Sequence, residues 1–362
     1  MKLLLDNIVF SLQKSGGVSV VWFELVSRLL NESKIDLNFL DYPNTNIFRK
    51  NLNLPIQQIS NQNQLLPLSI SRYCDVKLPS EKMIFHSSYY RVATSKSIKN
   101  ITTVHDFTYE FYKKGIPKTI HTLQKSHAIK KSDVIICVSE NTKKDLLYFN
   151  PKIKESKIKV IHNGVSNDFY QLGTERIKLL KKLIHFEPES YILYVGDRKN
   201  KYKNFEMAIQ SAKSVDLPLV FVGGGDLLKN EIALLNHIIG VNNYLHKRNV
   251  TNSDLNIIYN NAFCLLYPSF YEGFGIPIIE AQKAGCPVVS TNFSSIPEIA
   301  GGSALLVENI SVKQLTHYLK VLINESSTRN TIIEKGLLNA KRFSWDKTYK
   351  ETFDLYEKLY NK

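Results

Sequence analysis

Short apolar runs alternate with stretches of helical periodicity along the whole chain. In the first half, runs at 2–9, 35–40, 83–86, 101–104, 134–138 and 158–162 have strand length and predict β-strands. Between them, 18–30, 119–130 and 141–148 carry apolar residues at helical spacing. The second half restarts in the same way, with strands predicted at 191–195, 219–222, 262–267, 288–290 and 304–307 and helices between them. Alternation of strand and helix implies parallel sheets covered by helices, that is, α/β, doubly wound, Rossmann-like domains. A chain of 362 residues has room for two such domains. The stretch 167–173, just after Asn163-Gly164, is the expected hinge and divides 1–167 from 168–343. The last segment, 344–360, has the pattern of an amphipathic helix.

The most informative stretch is 262–280. The apolar run 262–267 reads as a buried strand, the loop after it carries Gly273 and Gly275, and Pro277 sits where a first helical residue is expected. A strand, a Gly-rich loop and a helix N-terminus make an anion site, because backbone N–H groups and the positive end of the helix dipole converge there. Glu272 lies in the loop and Glu280 in the first or second turn of the helix. Carboxylates beside a phosphate site make chemical sense if hydroxyl groups flank the phosphate, since carboxylates accept hydrogen bonds from hydroxyls. A diphosphate with a sugar on one side and a ribose on the other, a nucleotide sugar, fits that demand.

Residues 267–280, Tyr-Pro-Ser-Phe-Tyr-Glu-Gly-Phe-Gly-Ile-Pro-Ile-Ile-Glu, resemble the donor-site signature of retaining GT-B glycosyltransferases of family 4. Other segments match the same family in the expected order: Ser15-Gly16-Gly17-Val18, Val104-His105-Asp106, Ile161-His162-Asn163-Gly164-Val165, and Tyr194-Val195-Gly196-Asp197-Arg198 followed by Tyr202-Lys203-Asn204. The resemblance implies a GT-B fold, two Rossmann-like domains facing across a cleft. The N-terminal domain would bind the acceptor and carry the C-terminal helix 344–362; the domain 168–343 would bind the donor. It implies that Glu272 contacts hydroxyls of the donor sugar and Glu280 the ribose. Arg198 and Lys203 would bind the diphosphate, and His105 would stand near donor sugar and acceptor. Gly16, Gly17, Gly196, Gly273, Phe274, Gly275 and Ile276 would line the donor site, with Asp106, Asn163, Gly224 and Glu298 as further candidates. Gly223, Gly224 and Gly225 do not make a dinucleotide loop, because the spacing meets Leu228. No Asp-x-Asp motif closes a strand, so no metal ligand and no cofactor are expected beyond the donor substrate itself. Family members retain configuration by same-face attack, with the donor phosphate helping to take the acceptor proton, so Asp106 is not cast as a nucleophile.

Charge adds one asymmetry. The net charge is +14, and residues 1–170 hold 24 Lys+Arg against 14 Asp+Glu, a net of +10. A basic N-terminal half suits a lipid-linked acceptor at an anionic cytoplasmic leaflet. No nucleic-acid motif accompanies the charge, so no nucleic-acid partner is expected. Met1-Lys2-Leu3-Leu4-Leu5 is cut short by Asp6 and reads as a first strand rather than a signal core. The absence of an 18-residue apolar run leaves no membrane span, so a cytoplasmic protein, peripheral on the inner face of the cytoplasmic membrane, is expected. The four cysteines form no CxxC pair and are expected to be reduced, with Cys137 and Cys264 inside strands. Residues 41–68 form the expected acceptor loop, and Asn61-Gln62-Asn63-Gln64 suggests mobility within it.

The activity implied is transfer of a hexose, with mannose from GDP-mannose favoured over a UDP-hexose, to a polyprenyl-diphosphate-linked glycan in O-antigen or capsule assembly. A nucleotide-sugar epimerase of GT-B-like fold and a non-catalytic glycan-binding module are the rival readings. The full set of Gly16, Gly17, Lys203, Glu272 and Glu280 argues against both.

Overall fold

The computed structural model describes residues 1–60 and 67–362. It divides into two compact units, Met1–Asn163 with Trp345–Lys362, and Gly164–Ser344. The first unit is built on seven parallel strands: β1 (Lys2–Asp6), β2 (Asp36–Leu40), β3 (Ile59–Ser60), β4 (Met83–Ser87), β5 (Ile98–Val104), β6 (Val134–Cys137) and β7 (Ile158–Val160). Their spatial order is β3-β2-β1-β4-β5-β6-β7. The second has six: β8 (Ile192–Val195), β9 (Leu219–Val222), β10 (Tyr244–Lys247), β11 (Cys264–Tyr267), β12 (Val288–Thr291) and β13 (Leu305–Val307), in the order β10-β9-β8-β11-β12-β13.

Both units are therefore doubly wound, and each has one point where the strand order reverses. That point lies between β1 and β4 in the first sheet and between β8 and β11 in the second. Loops leaving the carboxyl ends of those paired strands run to opposite sides and leave a crevice, the usual ligand position in such sheets. The central strands β9, β11 and β12 are buried at every residue, which explains why they read as unbroken apolar runs.

Several expectations need correction. The first strand stops at Asp6, not at 9, and a one-turn helix Val9–Leu12 follows. The Asp6 carboxylate is wholly buried, accepts from Ser87 Oγ at 2.8 Å and faces Arg91 Nη1 at 3.3 Å, while Val9 N donates to Ser88 Oγ at 2.9 Å. Those bonds turn the chain across the end of β4 instead of extending the ladder. The edge strands β3 and β10 carry no apolar run; β10 is Tyr-Leu-His-Lys and half-buried throughout. The helix expected at 119–130 spans Gly115–Lys131, with Pro117 in its first turn. The units divide at 163/164, a few residues before the expected 167, and Lys283 Nζ ties Ser166 to the second unit by donating to its carbonyl at 2.9 Å. Of the acceptor loop, the segment before 61 is tied down by Arg49 Nη2, 2.6 Å from Asp41 Oδ2; the Asn/Gln-rich 61–64 lies outside the described residues. Cys137, Cys264 and Cys286 are buried free thiols, and Cys74 is exposed. Among the described residues no helix is long and apolar enough to cross a membrane.

The C-terminal helix Trp345–Tyr360 belongs to the first unit and completes its core. Leu355, Tyr356 and Leu359 pack with Trp22, Val26, Phe39 and Ile84. The Tyr356 hydroxyl reaches His86 Nδ1 at 2.6 Å, and His86 Nε2 meets Thr103 Oγ1 at 2.9 Å. Burial pushes the His86 imidazole down to about 3, so it stays neutral. Tyr356→Phe leaves that ring nitrogen buried without its partner and should cost about 1–3 kcal/mol. Both tryptophans, Trp22 and Trp345, lie in this unit, so denaturant unfolding followed by tryptophan fluorescence reads it alone. Lys350→Ala, which breaks only an exposed pair with Asp354, should leave the same midpoint unchanged within error.

Candidate functional site

In the C-terminal unit, the loops after β8 and β11 meet because those strands are neighbours at the reversal point. Gly196 ends the first strand, a single turn Lys201–Lys203 follows, and Asn204 in the left-handed region (φ 51°) starts the helix Phe205–Ser214. Asn204 Nδ2 donates to Pro268 O at 2.7 Å and Phe270 N to Tyr202 O at 2.8 Å, so the two loops are stitched together. At their meeting point Lys203 Nζ donates to Glu272 Oε1 at 2.7 Å, with the Tyr267 hydroxyl 3.3 Å away. Both side chains of the pair keep some solvent contact, 14% for Lys203 and 12% for Glu272. A cation and a carboxylate side by side can together address a phosphate and a hydroxyl.

The Gly-rich loop is held from below by two hydroxyls. Glu272 N donates to Ser294 Oγ at 2.8 Å, and Ser295 Oγ donates to Glu272 O and to Phe274 O, each at 2.9 Å. Ser294 itself adopts φ 51°, a strained conformation for a side-chain-bearing residue. Gly273 and Phe274 carry the loop into Gly275, which caps the helix Ile276–Lys283 at φ 97°, a conformation only glycine adopts without strain. The helix begins at Ile276, one residue before the expected Pro277, and its first N–H groups have no acceptor within the helix. Glu280 follows in the second turn and accepts from the Tyr259 hydroxyl at 3.0 Å. Burial pushes its carboxyl up to about 7, against the opposing pull of the Tyr259 bond. Glu298 is half-buried in the first turn of the short helix Ile296–Ala300.

Arg198, expected to offer its guanidinium to a diphosphate, is fully buried in this structure and hydrogen-bonded within the unit. Nε and Nη2 donate to the two oxygens of Glu231 at 2.9 and 3.1 Å. Nη1 donates to Gly223 O at 2.9 Å and Gly225 O at 3.2 Å, and Nη2 to Asp226 O at 2.6 Å. All five N–H donors of the fork are occupied. Gly224 sits against this cage at φ 80°, where an added Cβ would stand 2.5 Å from Arg198 Nη1. Burial alone would raise the Glu231 carboxyl, but the hydrogen bonds from Arg198 and Leu228 N outweigh it and hold it below its ordinary value. Freeing the guanidinium would leave the carbonyls of Gly225 and Asp226 without that donor. In this arrangement Arg198 holds the glycine turn after β9. Its partner Glu231 lies 33 positions away, and no local motif announces it.

The remaining candidates lie in the N-terminal unit. Gly16 and Gly17 begin the helix Gly17–Leu29 after β1, where Ser19 Oγ donates to Gly16 O at 2.9 Å. His105 and Asp106 follow β5, and Asp106 Oδ1 accepts from Thr108 N at 2.8 Å. His105 lines a cavity of about 350 Å³ together with Gln13, Tyr89, Asp106 and Tyr109. On its other side it borders a much smaller void, about 30 Å³, with Trp22, His86 and the buried Asn163. Burial lowers the His105 imidazole to about 4, with Asp106 opposing and Lys125 assisting. It is a neutral hydrogen-bonding group at physiological pH. The buried Lys125, missed from the sequence, donates to Asp106 O at 2.9 Å and Glu110 Oε2 at 2.7 Å and holds this loop in place.

Known proteins resemble the chain over both units. Residues 175–338 match the family described as glycosyl transferases group 1, and residues 82–169 match glycosyltransferase family 4. O-antigen chain mannosyltransferase B of Escherichia coli is 37% identical over 110 residues, which is 30% of this chain and 29% of that protein. O-antigen chain mannosyltransferase RfbU of Salmonella typhimurium is 29% identical over 242 residues, 64% of this chain and 62% of that protein. The chain thus spans less than two thirds of the length of these curated relatives. Anabaena HepE, solved in complex with UDP-glucose, superposes with a TM-score of 0.75 at 15% identity, covering 99% of this chain and 100% of that one.

Two outcomes follow from the geometry. Arg198→Met should destabilise the C-terminal unit by about 1–3 kcal/mol in chemical denaturation, the cost of leaving buried carbonyls such as Gly225 O without their donor. Glu280 carries a pH signature. Its folded-state pKa, about 7, lies above the ordinary 4.5, so the folded protein holds the extra proton between those values and stability falls as pH rises from 4.5 to 7. In Glu280→Gln that decline should flatten; an unchanged profile from the variant would show that Glu280 is not the group responsible.

Proposed function

We propose, on the premise that this chain belongs to the family 4 glycosyltransferases of GT-B fold, that it transfers a hexose from a nucleotide sugar to a glycan acceptor in the assembly of a bacterial surface polysaccharide. The hexose proposed is mannose, carried by GDP, and the acceptor is a glycan on a polyprenyl diphosphate at an anionic membrane surface. The mannosyltransferase relatives support the sugar. The observation that carries the reading is the contact of Lys203 with Glu272 at 2.7 Å beside the Gly275-capped helix, with Glu280 one turn further on.

Breaking the bond from the anomeric carbon to phosphate builds negative charge on the departing diphosphate. Preorganised cations and N–H donors at that group lower the barrier most. In this reading Lys203 turns from Glu272 to the diphosphate, and the N–H groups of the Gly273–Ile276 turn add to it. Glu272, released, accepts from hydroxyls of the donor sugar, and Glu280 accepts from the ribose. No metal is needed for the charge, because Lys203 and the helix dipole meet it. Gly16 and Gly17 let the backbone approach the donor closely, and the neutral His105 exchanges hydrogen bonds with a sugar hydroxyl. The anomeric configuration is retained, with the acceptor attacking from the face the diphosphate leaves and its proton passing to a phosphate oxygen.

Transfer from GDP-mannose and UDP-hexoses, followed by NMR of the product, tests the reading. Lys203→Ala should lower kcat by about 10²–10³ with the fold intact. The product's anomeric proton should keep the donor's configuration; an inverted product would contradict the route. Near-normal turnover by Lys203→Ala would remove its role.

A further inference from the structure

Two cavities in the N-terminal unit share Tyr90 as a wall. The first, about 350 Å³, is the polar one lined by His105 and Asp106. Its volume falls within the roughly 300–1,000 Å³ of small-molecule sites. It is walled by aromatic rings: Tyr109 stacks on His121 at 3.9 Å between centroids, and Tyr90 meets His121 edge-on at 5.5 Å. Flat aromatic faces beside a carboxylate and a neutral imidazole suit a sugar ring, whose C–H face packs on the rings while its hydroxyls bond the polar groups.

The second cavity, about 440 Å³, is bounded by Tyr73, Asp75, Ile120, Leu123, Gln124 and His127, with Asp75 held by His127 at 2.9 Å. Its apolar floor continues onto the surface. Ile116, Ile120 and Leu123 are 74%, 42% and 66% exposed, and their spacing of four and three puts them on one stripe of the helix Gly115–Lys131. Fold stability gains nothing from three bare aliphatic side chains in a row.

Arg72 stands between the two. It lines the first cavity, its guanidinium lies 4.9 Å from the ring of Tyr73 and 5.6 Å from that of Tyr89, and its carbonyl accepts from Gln124 Nε2 at 2.7 Å. Arg72 Nε and Gln124 Oε1 are buried with no hydrogen-bond partner among the described residues, while His121 Nδ1 lies 3.7 Å from Glu110 Oε1. Tyr90 takes a left-handed φ of 43°, strain of the kind that collects at binding sites. The polar aromatic cavity, the cation and the apolar groove therefore follow one another in space.

We infer that this run of surfaces is the site for an acceptor of the class sugar–phosphate–lipid, resting on the glycosyltransferase reading above. The terminal sugar occupies the cavity of His105 and Tyr109. Its phosphate meets Arg72. The first part of the lipid chain lies in the groove of Ile120 and Leu123 and leaves along the stripe toward Ile116. One molecule with those three chemistries in that order satisfies the unpaired guanidinium nitrogen and covers the exposed aliphatics at once.

The test uses farnesyl diphosphate, the phosphate-and-lipid part alone, in calorimetric titrations of the full chain, with farnesol as the uncharged control and GDP and UDP as donor-side controls. Arg72→Met should weaken farnesyl diphosphate at least tenfold and leave farnesol within about twofold. Leu123→Asp should weaken both, and Ile120→Asn serves in its place should Leu123→Asp fail to fold. Nucleotide binding should be unchanged in every variant, because none of these residues belongs to the loops after β8 and β11. No binding of farnesyl diphosphate, or equal binding by Arg72→Met, overturns the inference. If a nucleotide still binds in that case, the donor-site reading survives; if no nucleotide binds the parent chain either, the glycosyltransferase reading falls with it.

Discussion

An ammonium and a carboxylate brought together from positions 69 residues apart organise the C-terminal unit's candidate site. Lys203 and Glu272 can meet only because β8 and β11 pair where the sheet reverses its order, so that the loops leaving them diverge and then close over the same crevice. The pair is mostly shielded, yet both side chains keep an edge in contact with water. In the function proposed above, its value is chemical. Each partner is kept in place and desolvated on one side, ready to exchange the other for a phosphate or a hydroxyl.

Around it the fold spends rigid, internal bonds. Ser294 and Ser295 hold the glycine loop by its backbone, and Arg198, sealed against Glu231, holds the turn at Gly223 and Gly225. The division of labour between the two basic residues after β8 follows from solvation. A guanidinium has five donors in a fixed plane and can be satisfied inside the protein, whereas an ammonium on a flexible stem remains available at the crevice. In the N-terminal unit burial produces a different kind of group: His105 and His86 are both held neutral, so hydrogen bonding rather than charge is what they bring.

Much of this was legible in the residues. Apolar runs bounded by polar turns marked the central strands, because a strand buried on both faces has little room for polar side chains. Glycine and proline punctuated the loop and helix at Gly275 and Pro277 for reasons of backbone geometry alone, and Glu272 and Glu280 could be assigned to loop and helix from that punctuation. Partnerships over long separations were not legible. A motif position says that Arg198 follows a strand, but not that Glu231 waits across the turn. Nor does it say that Asp6 will find Arg91 and end β1 early. The edge strand β10 escaped notice since an edge needs only backbone partners and one covered face. The aromatic walls at Tyr90, Tyr109 and His121 come from three separate segments, and no spacing rule links them.

The central claim is that Lys203 and Glu272 are exchangeable partners and Arg198 is not. A crystal structure of the protein with a non-hydrolysable GDP- or UDP-hexose tests it directly. The account predicts Lys203 Nζ on a diphosphate oxygen, Glu272 on the sugar hydroxyls, and Arg198 still on Glu231. A bound donor with the Lys203 and Glu272 contact intact, or with Arg198 swung out onto the phosphates, would contradict it.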